Sequence, residues 1–415
     1  MLFVNPGNPG MGKLNKYAAL EPPFWCAYQA AIYRSCGSKA SILDCEAEGL
    51  DIEETLDRIM AVNEMACIVA MGNNPSVSST PKMDIVNAIM EKLEDKKAYI
   101  IKGLHPVSLD PKATSMNIDI HEIPAWDLLD LNKYRAHNWH CLDRLDKRSP
   151  YAVTYTSFGC PYSCGYCNVH ALYGGSRRVI FRPPELVVEE LEYLHNRGVR
   201  NIKFADELFT LNREHVMAIC KGIERLGLNI WAYARSDTIN PTLLATMKAG
   251  GINWLAFGFD DKYTEESAKE TKELCGEAGI NIIANFMVGL PGDTMEAMVR
   301  RMELVKELNF EWLNLYCAFP YPGSLWYNDC VKKGIKLPDN WEDYAQYSPN
   351  FMPLDTESLK GKEILQFRDN AWEDYYKRPQ YIKMIGNRFG QDAVKYVEGM
   401  LEVKLERGSN AKVAD

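Results

Sequence analysis

From residue 151 onward one pattern repeats. Six short apolar runs, YAVTYT (151–156), RNIKFAD (200–206), NIWAYA (229–234), INWLAFGF (252–259), NIIANFMVG (281–289) and EWLNLYCAF (311–319), alternate with longer amphipathic stretches such as PPELVVEELEYLHNRG and DTMEAMVRRMELVKELN. Short β-branched and aromatic runs read as strands, and the amphipathic stretches between them read as helices. Many of the helical stretches open on Pro, Asn, Thr or Asp and most close near Gly, the asymmetry expected of capped helices. Six such units over about 170 residues predict a partial (β/α)6 barrel rather than the full eight-unit form. Barrels of this kind carry their functional residues at the carboxyl ends of the strands.

The first 105 residues follow a different order. MLFVNP, KASILDCE, ACIVAMG and KAYIIKG read as strands, separated by the helical stretches PPFWCAYQAAIYRSCG, DIEETLDRIMAVN and PKMDIVNAIMEKLED. This βαβα alternation predicts an α/β, Rossmann-like open parallel sheet with helices on both faces. Ligands of such sheets bind beyond the strand carboxyl ends, here in NPGNPG, GNNPSVSST and GLHPVSL. The G-x-G-x-x-G fingerprint is absent after the first strand, which argues against a nicotinamide dinucleotide. The expected division is a Rossmann-like domain at 1–110, a connector at 111–150, the barrel at 151–330 and a helical cap at 331–415.

Charge narrows the function classes. With 47 Lys and Arg against 56 Asp and Glu, the net charge is −9 and no basic block stands out. Phosphate backbones need clustered cations, so nucleic acid is not expected as a partner. No apolar run reaches membrane-spanning length, and MLFVNPGNPG lacks the basic leader and apolar core of a signal peptide. A cytoplasmic protein with no membrane partner is expected. Twelve cysteines are many for 415 residues, yet only three cluster. The scattered nine are expected to be reduced, buried small hydrophobes.

The cluster lies in SFGCPYSCGYCNVH, where Cys160, Cys164 and Cys167 are followed by His170. Four soft ligands suit a structural zinc ion, although zinc knuckles are usually separated by a longer span. Three thiolates suit a 4Fe–4S cluster with one iron left without a protein ligand, whereas a fully ligated cluster with four cysteines serves electron transfer. Gly159, Pro161 and Gly165 make a tight loop suited to wrapping a compact object. On the residues alone, a non-catalytic zinc or iron–sulfur electron-transfer protein stays open beside an enzyme.

The spacing C-x3-C-x2-C, placed after the first strand of a partial barrel and with Tyr166 just before the third cysteine, resembles the radical S-adenosylmethionine superfamily. The resemblance implies a 4Fe–4S cluster on Cys160, Cys164 and Cys167, its open iron chelating S-adenosylmethionine and its electron cleaving that molecule to a 5′-deoxyadenosyl radical. It further implies S-adenosylmethionine contacts from Tyr166, from Asp206 and Glu207 in FADELF, and from Arg235 and Ser236 in YARSD. Asp260 in FGFDD, and Gly289, Pro291 and Gly292 in VGLPGDT, complete that set, while AFPYPGSLWY is similar to the family's Pro-Gly-Thr-Pro loop. FADELF departs from the family's Gly-Gly-Glu segment in lacking both glycines.

The sheet ahead of the barrel resembles the cobalamin-binding subgroup of that superfamily, through Asn5-Pro6, Pro22-Pro23, DCEAEGL, NNPSVSST and GLHP. This implies cobalamin contacts from Asn5, Asn74, Ser76, Ser78, Ser79, Gly103 and His105. DCEAEG is one residue from the D-x-H-x-x-G of other cobalamin proteins, but it follows the second strand rather than the first, so the similarity reads as chance and no standard histidine ligand to cobalt is expected. The implied activity is methylation of an unactivated carbon of a small-molecule or natural-product substrate through the 5′-deoxyadenosyl radical and methylcobalamin. A cobalamin-dependent cyclase or rearrangement enzyme is the alternative. Reduced flavodoxin or ferredoxin is the implied electron donor. Trp126, Tyr134, Trp139 and Tyr321 read first as core residues and only second as a substrate pocket.

Overall fold

The structure is a computed structural model, and it describes residues 1–7, 15–72, 82–93, 118–259 and 263–408, with the backbone of 98–101. The chain opens with β1 (Leu2–Asn5), α1 (Phe24–Ser35), β2 (Ser41–Asp44), α2 (Cys45–Glu48), α3 (Ile52–Ala61), β3 (Ala66–Val69), α4 (Met83–Lys92) and β4 (Ala98–Ile101). These strands form an all-parallel sheet in the order β2-β1-β3-β4. The order reverses between β1 and β3, so the crevice beyond their carboxyl ends is the topological switch point where open α/β sheets take ligands.

The DCEAEG stretch has a local explanation. Asp44 caps α2 by accepting the N–H of Ala47 at 3.2 Å, and Gly49 closes it in a left-handed conformation (φ +68°). Register places Asn5 beside Asp44 at the carboxyl edge, and Asn5 Nδ2 donates to Asp44 Oδ1 at 2.7 Å. Tyr134 reaches in from the connector to donate to Asp44 Oδ2 at 2.8 Å. Lys82 donates to Asn5 Oδ1 (3.0 Å) and pairs with Glu46 (2.9 Å).

The barrel comprises β5 (Tyr151–Thr154), β6 (Ser157–Phe158), α5 (Val169–Leu172), β7 (Ile180–Phe181), α6 (Pro184–Asn196), β8 (Asn201–Phe204), α7 (Arg213–Ile223), β9 (Asn229–Ala234), α8 (Pro241–Ala249), β10 (Ile252–Phe259), α9 (Glu265–Glu277), β11 (Asn281–Val288), α10 (Met295–Leu308) and β12 (Trp312–Cys317). Among the described residues the sheet order is β12-β11-β10-β9-β8-β5, parallel throughout, with β5 and β12 as edges. It is an open six-strand barrel. The run YAVTYT does not stay in it. After Thr154 the chain turns into a two-residue antiparallel ribbon, β6 against β7, which no local periodicity announces.

Both edges are closed by side chains from afar, as exposed strand edges require. On β12, Tyr376 of α12 (Gly361–Lys377) accepts from Leu313 N and donates to Leu313 O, at 2.9 and 2.7 Å. Gln346 does the same for Cys317 with its amide, at 2.9 and 3.0 Å. At the β5 end, Phe24 and Trp25 of α1 pack against Tyr155, with ring centroids 4.8 and 5.1 Å apart. Glu21, just ahead of α1, accepts Lys203 Nζ of β8 on both carboxylate oxygens at 3.1 Å. The helical cap adds α11 (Leu325–Lys332), α13 (Pro379–Phe389) and α14 (Gln391–Leu401). Trp126, Tyr134, Trp139 and Tyr321 are all buried and belong to the core. No helix among the described residues is long and apolar enough to cross a membrane.

Two expectations follow. Arg182 and Glu190 form a fully buried pair at 2.7 Å, with Trp126 Nε1 donating to Glu190 at 3.1 Å. Glu190→Ala strands the guanidinium and is expected to lower unfolding stability by about 3–5 kcal/mol in a urea titration. His140 is buried and held neutral, its pKa pushed down to about 3 first by desolvation and then by His137. The unfolded state therefore binds the extra proton below about 6.5, and stability falls as pH drops from there toward 3. His140→Leu should flatten that slope by about one proton, read from urea midpoints across the pH range.

Candidate active site

The cysteine loop leaves β6 at Gly159 and returns at β7. Gly159 is obligatory: φ is +94°, and a Cβ there would stand 2.6 Å from the carbonyl oxygen of Arg178. Its N–H donates to Glu207 Oε2 at 2.9 Å. Within the loop, Cys167 N donates to Cys164 O at 3.0 Å. The far side is held by the segment after β12, through Asn168 Nδ2 to Pro322 O (3.1 Å) and Trp326 N to Gly165 O (2.9 Å). The loop thus links the chain following one barrel edge to the chain following the other. AFPYPGSLWY is its anchor.

All three thiols are partly accessible and none is in a disulfide. Burial holds Cys160 above the ordinary thiol range and pushes Cys167 up to about 12. Burial thus favours the protonated thiols of Cys160 and Cys167, and a metal that binds them displaces those protons. His170 is committed elsewhere: its Nε2 lies 2.9 Å from the carbonyl oxygen of Cys160. Among the described residues no three His, Cys, Asp or Glu converge as a single ion demands. A cubane places each thiolate on a different iron and needs no such convergence. Three thiols on one loop, with the histidine engaged as a brace, fit a 4Fe–4S cluster better than zinc.

Asp206 and Glu207 lie side by side in sequence and do different things. Asp206 is fully buried, and its carboxylate accepts Thr156 N (2.7 Å), Thr156 Oγ1 (2.6 Å) and Ser157 Oγ (2.5 Å). It is closed to any ligand and fixes the start of the cysteine loop. Glu207 is half-buried, between Gly159 N and the hydroxyl of Tyr173, which donates to Oε1 at 2.7 Å. Desolvation pushes its pKa up to about 7, against the pull of these hydrogen bonds. Tyr173 and the Thr156–Ser157 pair were not legible as site residues, since only the tertiary fold brings them to these carboxylates.

Arg235 and Ser236 sit at the end of β9. The Arg235 guanidinium forks onto Asp237 at 3.0 and 3.1 Å and lies 4.1 Å from the ring centre of Tyr162, between the first two cysteines. Tyr166 and Ser236 are half-buried. Gly289 has φ +75°, and a Cβ would meet Ile364 of α12 at 2.6 Å, so the cap packs closely on it. Gly292 (φ +85°) has open space around it, and exposed Pro291 precedes it. Asn5 is buried and spent on Asp44 and Lys82. Asp260, Asn74, Ser76, Ser78, Ser79, Gly103 and His105 lie outside the described residues. The structure thus brings the three cysteines, Glu207 and Arg235 to one end of the barrel, where Asp206 acts as a strut.

Gly159→Ala tests that geometry. The added methyl is expected to displace the loop, so that iron bound per chain after anaerobic reconstitution falls several-fold while helix content by circular dichroism is retained.

The profile of the radical SAM superfamily matches residues 154–305, from the last residue of β5 into α10. The chain is 27% identical over 308 residues to an uncharacterized methyltransferase of Pyrococcus horikoshii, covering 71% of this chain and 64% of that one. It is 27% identical over 284 residues to the hopanoid C-3 methylase of Methylococcus capsulatus, covering 63% and 52%. It therefore spans between half and two-thirds of the length of these curated relatives. Among solved structures, the cobalamin-dependent S-adenosylmethionine radical enzyme OxsB superposes with a TM-score of 0.65 at 13% identity, over 97% of this chain and 71% of that one. The radical S-adenosylmethionine methyltransferase TsrM of Kitasatospora setae superposes with a TM-score of 0.60 at 14% identity, over 91% and 89%. At these identities the two structures speak for the fold, and they share it from the N-terminal sheet to the helical cap. Residues 154–305 thus match as a radical SAM domain.

Proposed function

We propose that the chain is a cobalamin-dependent radical S-adenosylmethionine enzyme that methylates an unactivated carbon of a small molecule. The observation that carries this is the three-thiol loop with its histidine committed elsewhere, set at the carboxyl mouth of an open parallel barrel. Cys160, Cys164 and Cys167 would hold the 4Fe–4S cluster. Glu207, Tyr166, Ser236, Pro291 and Gly292 would meet S-adenosylmethionine. Asp206 and Gly289 serve the site indirectly, through the Thr156–Ser157 anchor and the packing of α12. When bound, the cluster supplies the electron that cleaves S-adenosylmethionine, and a corrin supplies a methyl carrier.

For the corrin, support comes from the switch-point crevice between β1 and β3 and from the likeness to OxsB and TsrM, whose structures hold cobalamin. The described edge of that crevice is polar and buried, a base on which ligand loops can be fixed. The division at 1–110, 111–150, 151–330 and 331–415 belongs to the same reading, as do a cytoplasmic location, which keeps the thiols reduced, and reduced flavodoxin or ferredoxin as donor. This chain's own task is to position the reactants and exclude water.

The test is anaerobic reconstitution with iron, sulfide and cobalamin. About four irons per chain, corrin absorbance that survives desalting, and 5′-deoxyadenosine released on dithionite reduction are expected. Cys164→Ala should lose the iron and the nucleoside together. Nucleoside formation that survives Cys164→Ala would sink the radical reading, and loss of corrin on desalting would sink the cobalamin claim. With methyl-labelled S-adenosylmethionine, label in the product marks methylation, and its absence marks a cyclisation or rearrangement.

A further inference from the structure

The outside of the cysteine loop carries a feature that the chemistry at the barrel mouth does not use. From Ser157 to Phe181 the residues charged at neutral pH are Arg177 and Arg178, and the stretch contains no Asp or Glu. In a chain with 56 acids against 47 bases and a net charge of −9, this is a local cationic exception. Both arginines are exposed. Among the described residues neither guanidinium makes an ion pair or a hydrogen bond. Every other charge that reaches the loop is engaged: Glu207 holds Gly159 N and the Tyr173 hydroxyl, and Arg235 is forked onto Asp237.

The arginine segment is tied to the first cysteine at both of its ends. At one end His170 Nε2 lies 2.9 Å from the carbonyl oxygen of Cys160, and the chain folds back on that histidine through Gly175 N to His170 O at 2.6 Å. At the other end the carbonyl oxygen of Arg178 stands 2.6 Å from where a Cβ of Gly159 would be, one residue ahead of Cys160. Further along the loop, exposed Gly165 accepts Trp326 N at 2.9 Å, which sets Leu325, 60% exposed, beside the loop. Pro161, next after Cys160, is exposed as well. Two free cations and a few apolar groups therefore frame the solvent side of the thiol loop.

We propose that this face is the docking surface for an acidic one-electron carrier protein, steered by Arg177 and Arg178 and seated on Leu325 and Pro161. A protein-sized donor cannot enter the barrel lumen, so it meets the loop from outside. A chain of net charge −9 repels an acidic partner at long range, and a local pair of unmatched arginines is what turns that encounter toward one place. Electron-transfer partners meet through small, transient faces, so two cations beside a small apolar contact are enough. At this surface the carrier is oxidised by one electron and the cluster on the thiols is reduced by one, with no bond formed or broken. The role rests on the proposed radical enzyme, whose cluster needs an electron from outside, and it names the kind of partner that brings it.

The probes are an acidic flavodoxin and methyl viologen, a small dication that needs no docking surface. The full chain after anaerobic reconstitution is read in two ways: binding of oxidised flavodoxin by calorimetric titration, and release of 5′-deoxyadenosine driven by each donor in its reduced form. Arg177→Glu together with Arg178→Glu is expected to weaken binding and slow flavodoxin-driven release by roughly ten-fold or more at low salt, while iron per chain and the viologen-driven rate hold. Arg177→Lys with Arg178→Lys should keep most of both, because steering needs the charge and not the fork. Added salt should weaken binding to the unaltered chain and should not weaken it in the Glu pair. Absence of salt-sensitive binding, or binding and flavodoxin-driven release that survive the double reversal, overturns the proposal. Equal slowing with both donors also overturns it, since the arginines would then serve the cluster rather than the carrier. If viologen releases the nucleoside and flavodoxin binding ignores the charges, only the surface fails. If binding follows the charges and neither donor releases nucleoside, the surface stands and the radical reading fails.

Discussion

A carboxylate sealed at the end of the second barrel strand decides where the cysteine loop begins. Asp206 takes three hydrogen bonds from two consecutive residues, Thr156 and Ser157. This is why the first barrel strand stops short and the chain veers into the small antiparallel ribbon. Burying a carboxylate is costly unless its lone pairs are filled, and here they are. Glu207, its neighbour in sequence, then takes the backbone N–H of Gly159, one residue before the first cysteine. Two adjacent carboxylates on one strand end therefore fix three points on the incoming loop, Thr156, Ser157 and Gly159. The thiols inherit their position from this frame.

The same principle, local backbone needs met by distant side chains, holds the barrel open. A six-strand sheet that does not close leaves two edges, and each is occupied from a different end of the sequence. The cap does so with hydroxyl and amide groups that stand in for a seventh strand at Leu313 and Cys317. The N-terminal segment does so with aromatic rings at Tyr155. The mouth between these edges is crossed by the cysteine loop, tied to Pro322 and Trp326. An open barrel with a fixed loop across its gap leaves its lumen accessible without leaving its strands unsatisfied.

How much of this was legible depends on the range of the interaction. The six barrel strands and the four N-terminal ones announce themselves because strand and helix periodicities are local, and the α/β class follows from their order. The clustering of Cys160, Cys164 and Cys167 was visible for the same reason, since three thiols fall within one loop. Roles that depend on who sits opposite were not visible. Asp206 and Glu207 look equivalent in FADELF, yet one is a strut and the other is half-open. Gly289 reads as a place for a ligand to approach, and the space where its Cβ would stand is taken by Ile364. DCEAEG imitates a cofactor motif and is a single helical turn capped at both ends. Arg235 reads as an anion contact and is found on Asp237 and Tyr162.

The ion pair between Glu21 and Lys203 carries a consequence for how such proteins are recombined. Lys203 is wholly buried in the barrel, and its partner arrives from a segment that precedes the first helix of the other domain. A barrel expressed alone would hold a stranded ammonium in an apolar wall, and the removal of one partner from a buried pair is strongly destabilising. The two halves are thus not interchangeable cassettes. A chimera that grafts a different N-terminal sheet onto this barrel needs an acid at the position of Glu21, or a neutral residue at 203. In energetic terms the N-terminal sheet and the barrel are joined at residue 21.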